Sequence, residues 1–391
     1  MQSTPTRWLP LAVSATLALA AIAAVNPVHA EDGVTDKEIK IGMANVLSGA
    51  ASGLGTQLKA GTEAYLAKVN AAGGVNGRKI VLISLDDGYE PEKSAAATRK
   101  LIEEDKVFAL FGYVGTPTST AVVPMASKAN VPYLFPFTGA EFLRNPVNKW
   151  VFNVRASYFD ETEAMVERLI KDAGASKIAL FIQDDAFGEA GKAGVNRALH
   201  KRGMKIVEEA RYKRNTLDID EGMAKIKAAQ PDAVIFVGTY KPFSSVVKKA
   251  KAAGIAAKFM TVSFIGTSDF INEAGAEGEG VYITQVMPSP ADAAMPVVKQ
   301  FQQDMKGADM NYTSLEGYVN AMVLVEALKK AGPSPTRVGL VSALEAMKTD
   351  FGGLDIGFSD AKHQGSGRVF LTQVRGGKPV SISNLQARPQ P

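Results

Sequence analysis

From residue 38 onward, short runs of β-branched and aliphatic residues alternate with stretches whose apolar positions recur every three to four residues. That alternation is the mark of a parallel sheet covered by helices. The first runs fall at 39–46, 79–85, 107–111 and 131–135. Between them, Leu58, Gly61, Tyr65, Leu66 and Val69 share one helical face, and Gly73-Gly74 end that helix with residues that accept a left-handed backbone. Pro91 opens a second helix reaching about 105. A second series follows Trp150, with runs at 178–182, 205–210, 233–237, 259–262 and 281–284. Two sets of about five strands exceed what one core takes, so the chain predicts an α/β fold of two Rossmann-like lobes joined by a hinge.

The expected first lobe is 31–150 plus 288–358, and the second is 151–287 plus 359–385, with crossings at 144–148 and 286–290. Helices near 292–305, 314–330 and 336–347 return to the first lobe, 368–382 forms a hairpin, and 386–391 is a polar, frayed tail. In doubly wound sheets ligands sit beyond the carboxyl ends of the strands, so two such lobes predict a cleft that closes on a small molecule.

One loop facing that cleft is chemically distinctive. Phe111 to Thr120 reads as a strand end, a glycine turn and a helix start, with Thr116 capping and Pro117 opening the helix. The free N–H groups and the hydroxyls of Thr116 and Thr118 there make a socket for an anion such as a carboxylate, without any Lys or Arg. Taken alone, such a motif more often marks an ordinary capped helix.

Composition narrows the setting. Residues 1–30 carry Arg7, a 17-residue apolar run from Leu9 to Val25, and Val28-His29-Ala30, which reads as a secretory signal cleaved after Ala30. The run is shorter and richer in Ala than a membrane span requires, so the mature protein is expected not to be membrane-embedded. The chain has no cysteine, which excludes disulfides, thiolate metal sites and lipid attachment to a cysteine. Export without these features points to the periplasm. The formal charge of +4 falls by one with Arg7, and the basic residues are scattered, so no nucleic-acid surface is expected.

These features together resemble the solute-binding proteins of branched-chain amino acid type transporters, the leucine/isoleucine/valine-binding group with the type I periplasmic-binding fold. The matching residues are Ile41-Gly42 through Leu47-Ser48-Gly49, Asn70 to Gly77, Asp86-Asp87, Gly115 to Thr120, Pro132-Tyr133 leading to Thr138, and Gln183 to Gly188. The resemblance implies a ligand carboxylate held by Thr116 and Thr118 and assisted by Thr138, which caps a short helix from Gly139. It places Phe187 and Tyr240 where relatives cover the ligand from the second lobe, with Tyr158 a further aromatic of the same kind. Each of the three also fits plain core packing.

Two departures reshape the expected ligand. Amino-acid binders of the group place a glutamate, which pairs with the ligand ammonium, where this chain has Ser263; Leu54 stands where relatives often have an aromatic. Phe137 adds bulk beside Thr138. An unpaired ammonium in a closed cleft costs several kcal/mol. Asp184, Asp185 or Asp269 are possible substitutes, each equally readable as a solvated or capping carboxylate. The expected ligand is a small carboxylate, either amino acid-like or an aromatic or aliphatic acid.

Enzymatic machinery is not assembled in the sequence. Gly365-Ser366-Gly367 lacks the spacing of a nucleophile elbow, Gly53-Leu54-Gly55 lacks the rest of a nucleotide fingerprint, and the adjacent carboxylate pairs point apart in extended chain. His200 and His363 lack metal-ligand spacing and read as surface residues on a polar helix and loop, so neither metal nor cofactor is expected. The implied partners are an inner-membrane ABC permease and its ATPase. A periplasmic sensor docking on a membrane receptor or kinase is the alternative.

Overall fold

The computed structural model describes residues 1–4, 6 and 31–385, so the body of the signal and the tail at 386–391 lie outside the described residues. The first half builds β1 (Glu38–Asn45), α1 (Ser52–Ala71), β2 (Lys79–Asp86), α2 (Pro91–Glu103), β3 (Ala109–Phe111), α3 (Thr116–Lys128), β4 (Tyr133–Leu134) and β5 (Val151–Phe152). These strands form one sheet in the order β2-β1-β3-β4-β5, with every pairing parallel.

The chain continues through α4 (Tyr158–Lys171), β6 (Ile178–Gln183), α5 (Ala186–His200), β7 (Glu209–Tyr212), α6 (Asp220–Ala229), β8 (Ala233–Val237), α7 (Tyr240–Ala252), β9 (Lys258–Thr261), α8 (Thr267–Ala274) and β10 (Tyr282–Gln285). After α9 (Pro296–Asp304), α10 (Tyr312–Ala331) and α11 (Arg337–Glu345) come the small hairpin β11 (Lys348–Asp350) and β12 (Asp355–Gly357). A second hairpin, β13 (Phe370–Arg375) and β14 (Lys378–Ile382), closes the edge of the second sheet, whose order is β14-β13-β10-β9-β8-β6-β7. Strands buried on both faces, such as β6 and β8, are continuous apolar runs, as a sheet sandwiched between helices requires.

Helix α10 returns to pack along α1. A Cβ on Gly61 would lie 1.8 Å from the carbonyl oxygen of Ser314, and one on Gly317 would lie 2.0 Å from that of Leu58. The two helices therefore touch backbone to backbone, which only glycine permits here. This close seam binds the returning helix to the first lobe.

Several details differ from the sequence reading. β5 pairs with β4 in the first sheet, so the segment 144–148 precedes the chain's exit from that sheet rather than making it. A two-residue strand carries no periodic signal; pairing with β4 defines it. The run at 205–210 gives way to β7 at Glu209–Tyr212, and β11–β12 was not anticipated. His363 is not a surface residue: it is 1% exposed, its Nδ1 lies 2.9 Å from the Val151 carbonyl oxygen, and its ring stacks on Phe152 at 3.8 Å. His200, at the end of α5, is exposed.

A candidate ligand cleft between two closed lobes

The gap between the two sheets is shut. The Tyr240 hydroxyl accepts from Gly53 N at 3.4 Å, Gln57 Nε2 donates to both carboxylate oxygens of Asp269 at 3.1 Å, and Gln183 Nε2 donates to the Tyr89 hydroxyl at 3.3 Å. Arg214 bridges Glu90 and Asp185 at 2.9 and 3.0 Å.

On the first-lobe side, the loop after β3 delivers α3 to the gap. The N-cap of α3 is Gly115, not Thr116, and no side chain caps the helix. At φ 106, a Cβ on Gly115 would lie 2.3 Å from the Tyr89 ring, so the position favours glycine and shifts the helix start one residue earlier than expected. Thr138 likewise caps no helix at Gly139; the next helical turn is the 3-10 segment Glu141–Leu143, entered from Ala140.

Freed from capping, the two threonine hydroxyls bond each other. Thr116 Oγ1 and Thr138 Oγ1 are 2.7 Å apart, and Thr138 Oγ1 donates to the Tyr158 hydroxyl at 3.2 Å. With Thr138 donating onward, Thr116 donates to Thr138, and the relay leaves the Tyr158 proton at its end. Burial pushes the Tyr158 phenol up to about 12, so it stays protonated as a donor. All three residues are 1% exposed or less. The first turn of α3 adds N–H groups without intrahelical partners. The Thr118 hydroxyl instead donates backward, to the carbonyl oxygens of Val114 at 2.5 Å and Gly115 at 3.0 Å.

The second lobe faces this relay with aromatic rings. Phe187 lies 5.4 Å from Tyr158 and 4.5 Å from Phe264, and Phe264 also lies 5.3 Å from Phe137 and 6.2 Å from Tyr89. Phe264 is the hub of this apolar layer, and sequence reasoning passed over it although it follows Ser263. Leu54 and Tyr240 belong to a different corner, around Gly266: a Cβ there would meet Leu54 at 2.6 Å and Tyr240 at 3.6 Å.

Ser263 belongs to a third group, a charged knot at the gap's deep end that the sequence reading missed. Its N–H and hydroxyl donate to Glu161 at 2.7 and 3.0 Å, and Thr284 donates to the same carboxylate at 2.6 Å. Arg155 contacts Ser263 and lies 3.5 Å from Glu161, 3.6 Å from Glu316 and 4.8 Å over the Phe137 ring. Burial opposes the Arg155 charge, but its two carboxylate neighbours hold its pKa above the ordinary value. Burial raises both carboxylates, Glu316 to about 7. A lone arginine in the apolar run 151–156 was the available clue.

The other acidic candidates are committed. Asp185 caps α5 through Phe187 N and pairs with Arg214, and Asp184 pairs with Arg211 at 2.7 Å. Asp269, raised to about 6 by burial, is bonded to Gln57. Among the described residues no group of three or more His, Cys, Asp or Glu is arranged to hold a metal, and no helix is long and apolar enough to cross a membrane.

Known proteins share this architecture. The profile of a family described as periplasmic binding protein matches residues 38–378. An amino acid binding protein of Pseudomonas aeruginosa is 26% identical over 301 residues, 75% of this chain and 79% of its own length. A Leu/Ile/Val/Thr-binding protein of Salmonella typhimurium is 24% identical over 277 residues, 69% and 75% of the two chains. The crystal structure of a possible leucine/isoleucine/valine-binding protein from Rhodopirellula baltica superposes with a TM-score of 0.85 at 31% identity, covering 91% of this chain and 98% of that one. A substrate-binding periplasmic protein from Ralstonia solanacearum gives 0.83 at 30% identity, covering 88% and 99%. These relatives are binding proteins rather than enzymes, and the chain belongs to the periplasmic binding protein family, with the two-lobed type I fold of its leucine/isoleucine/valine-binding branch.

Proposed function

We propose that this protein captures a small carboxylate-bearing compound between its lobes and delivers it to an inner-membrane ABC permease driven by its ATPase. The observation that carries the reading is the hydroxyl relay from Thr116 through Thr138 to Tyr158, whose own proton is then available to an acceptor. A carboxylate is the acceptor best suited to it, because a charged acceptor roughly doubles the strength of each hydrogen bond and α3 adds a favourable dipole. The ring layer of Phe187, Phe264 and Phe137 supports an apolar or aromatic body behind that head group. Relatives named for amino acid and Leu/Ile/Val/Thr binding carry ligands of this general size. Lobe closure produces the form a permease recognises.

Thermal-shift screening of the mature protein tests the reading. Carboxylic acids should raise the melting temperature by several degrees, whereas primary amides of the same skeletons should not. Tyr158→Phe removes the terminal donor and should weaken acid binding about tenfold or more while preserving the fold. Stabilisation by amides and sugars but not by acids sinks the assignment.

A further inference from the structure

At the rim near Tyr240, the lobes are joined by one amide and one carboxyl group. Gln57 stands on α1, against the first sheet, and Asp269 stands on α8, between β9 and β10 of the second. Gln57 Nε2 lies 3.1 Å from both carboxylate oxygens and is the one hydrogen-bond donor that Asp269 has among the described residues. Glycines make the approach possible. A Cβ on Gly53 would lie 2.5 Å from Asp269 Oδ2, and one on Gly266 would lie 3.2 Å from it.

An ionised carboxylate fits this amide poorly. Gln57 Oε1 is sealed from solvent and has no partner. A buried carbonyl oxygen left in that state costs about 1–3 kcal/mol. Turning the amide over would only set that oxygen against a carboxylate. No cation relieves the pair, because Lys241, on α7, is taken up by Glu273 at 3.8 Å. The other groups facing Asp269 are Asp309 from the segment before α10, Glu273 one turn along α8, and the Tyr240 phenol from α7, which burial keeps protonated. A single proton resolves the mismatch. Protonated, the Asp269 O–H donates to Oε1 while its second oxygen accepts from Nε2, the two-bond ring that a carboxylic acid forms with a primary amide.

We infer that Asp269 and Gln57 form a proton-dependent latch between the lobes, an acid–amide pair that closes when Asp269 takes up a proton and parts when it releases it. Burial in the closed gap, with Asp309 as the second cause, raises this carboxyl from 3.8 to about 6. In an open gap water reaches the group and its ordinary value returns. The proton's contribution to closure is therefore complete below about 3.8 and is lost as pH rises through about 6. The inference rests on the capture reading above for its consequence, which is regulation of that site: acidification shuts the lobes and tightens their hold on the ligand.

A chain without cysteine accepts two unique spin labels. Lys93→Cys, on α2, and Leu217→Cys, in the loop after β7, are exposed positions beyond the carboxyl ends of strands in the two sheets. Distances between the labels in the ligand-free mature protein read the closed and open populations at pH 5.5 and pH 7.5. The closed-to-open ratio should be about four-fold higher at the lower pH, over and above any change in Asp269→Asn. Asp269→Asn pairs amide to amide with Gln57 at any pH and should show the high closed fraction at both. Gln57→Leu should lower the closed fraction at pH 5.5, since the acid O–H loses its acceptor. Coinciding pH profiles for the labelled parent and Asp269→Asn, or opening of the parent on acidification, overturn the latch and leave acid capture standing. Should no acid raise the melting temperature, the capture reading falls, and the label distances still decide the latch.

Discussion

The two ends of the closed gap use opposite chemistry. At one end, Thr116, Thr138 and Tyr158 are neutral hydroxyls whose relay ends in a proton. At the other, Arg155, Glu161 and Glu316 are ionisable groups buried to within a few per cent. Neutral donors cost less to desolvate, and those of Thr116 and Thr138 are satisfied within the relay. The charged end carries a larger desolvation penalty, which its internal contacts only partly offset. The contrast teaches that neutral hydroxyls and helix dipoles can be buried at lower cost than a cluster of ionisable groups.

The largest expected effect breaks the charged end. Arg155→Met takes from Glu161 and Glu316 their nearest cation, and removal of one partner from such a set costs about 3–5 kcal/mol, a fall in melting temperature of roughly 10 °C. The triple variant Arg155→Met, Glu161→Gln, Glu316→Gln should recover at least half of that loss in the same scan, because no lone charge remains buried. Recovery of nothing would show that packing rather than charge balance dominates the knot.

A smaller effect separates the ends by pH. Glu316 is held near 7 by burial, above the ordinary carboxyl value of 4.5, so the stability it contributes is complete below about pH 4.5 and is lost as pH rises through about 7. Glu316→Gln has no such dependence. Its melting temperature relative to wild type should therefore rise between pH 5 and pH 8 by about 3–5 °C. Tyr158→Phe should show no comparable trend over that range, since its phenol titrates near 12. A flat difference for Glu316→Gln contradicts the charged description of the deep end.

The smallest effect belongs to the rim. Tyr240→Phe removes one long contact with Gly53 N, at 3.4 Å, and should change stability by less than about 1 kcal/mol. Calorimetry should show the ligand preference unaltered, because Tyr240 meets neither end.

Periodicity made the layered fold legible, since each long helix and buried strand declares itself over many residues. The strands at 233–237 and the helix opened by Pro91 stand where the pattern put them. Short elements escaped: β5 has two residues, and its neighbours Pro146 and Asn148 read as loop. At the site, Thr116, Thr138, Tyr158 and Phe187 do come together, yet the helix caps expected of the two threonines are absent, because Gly115 takes that place in α3. The knot was hidden for a different reason. Arg155, Glu161, Ser263 and Glu316 are scattered along the chain, and only the crossing of the lobes assembles them.

The glycine seam between α1 and α10 has a mechanical corollary. It fixes Glu316, on α10, against α1, while Glu161 sits on α4, which packs on α5. The two carboxyl groups therefore reach Arg155 from separately packed helices, at 3.5 and 3.6 Å.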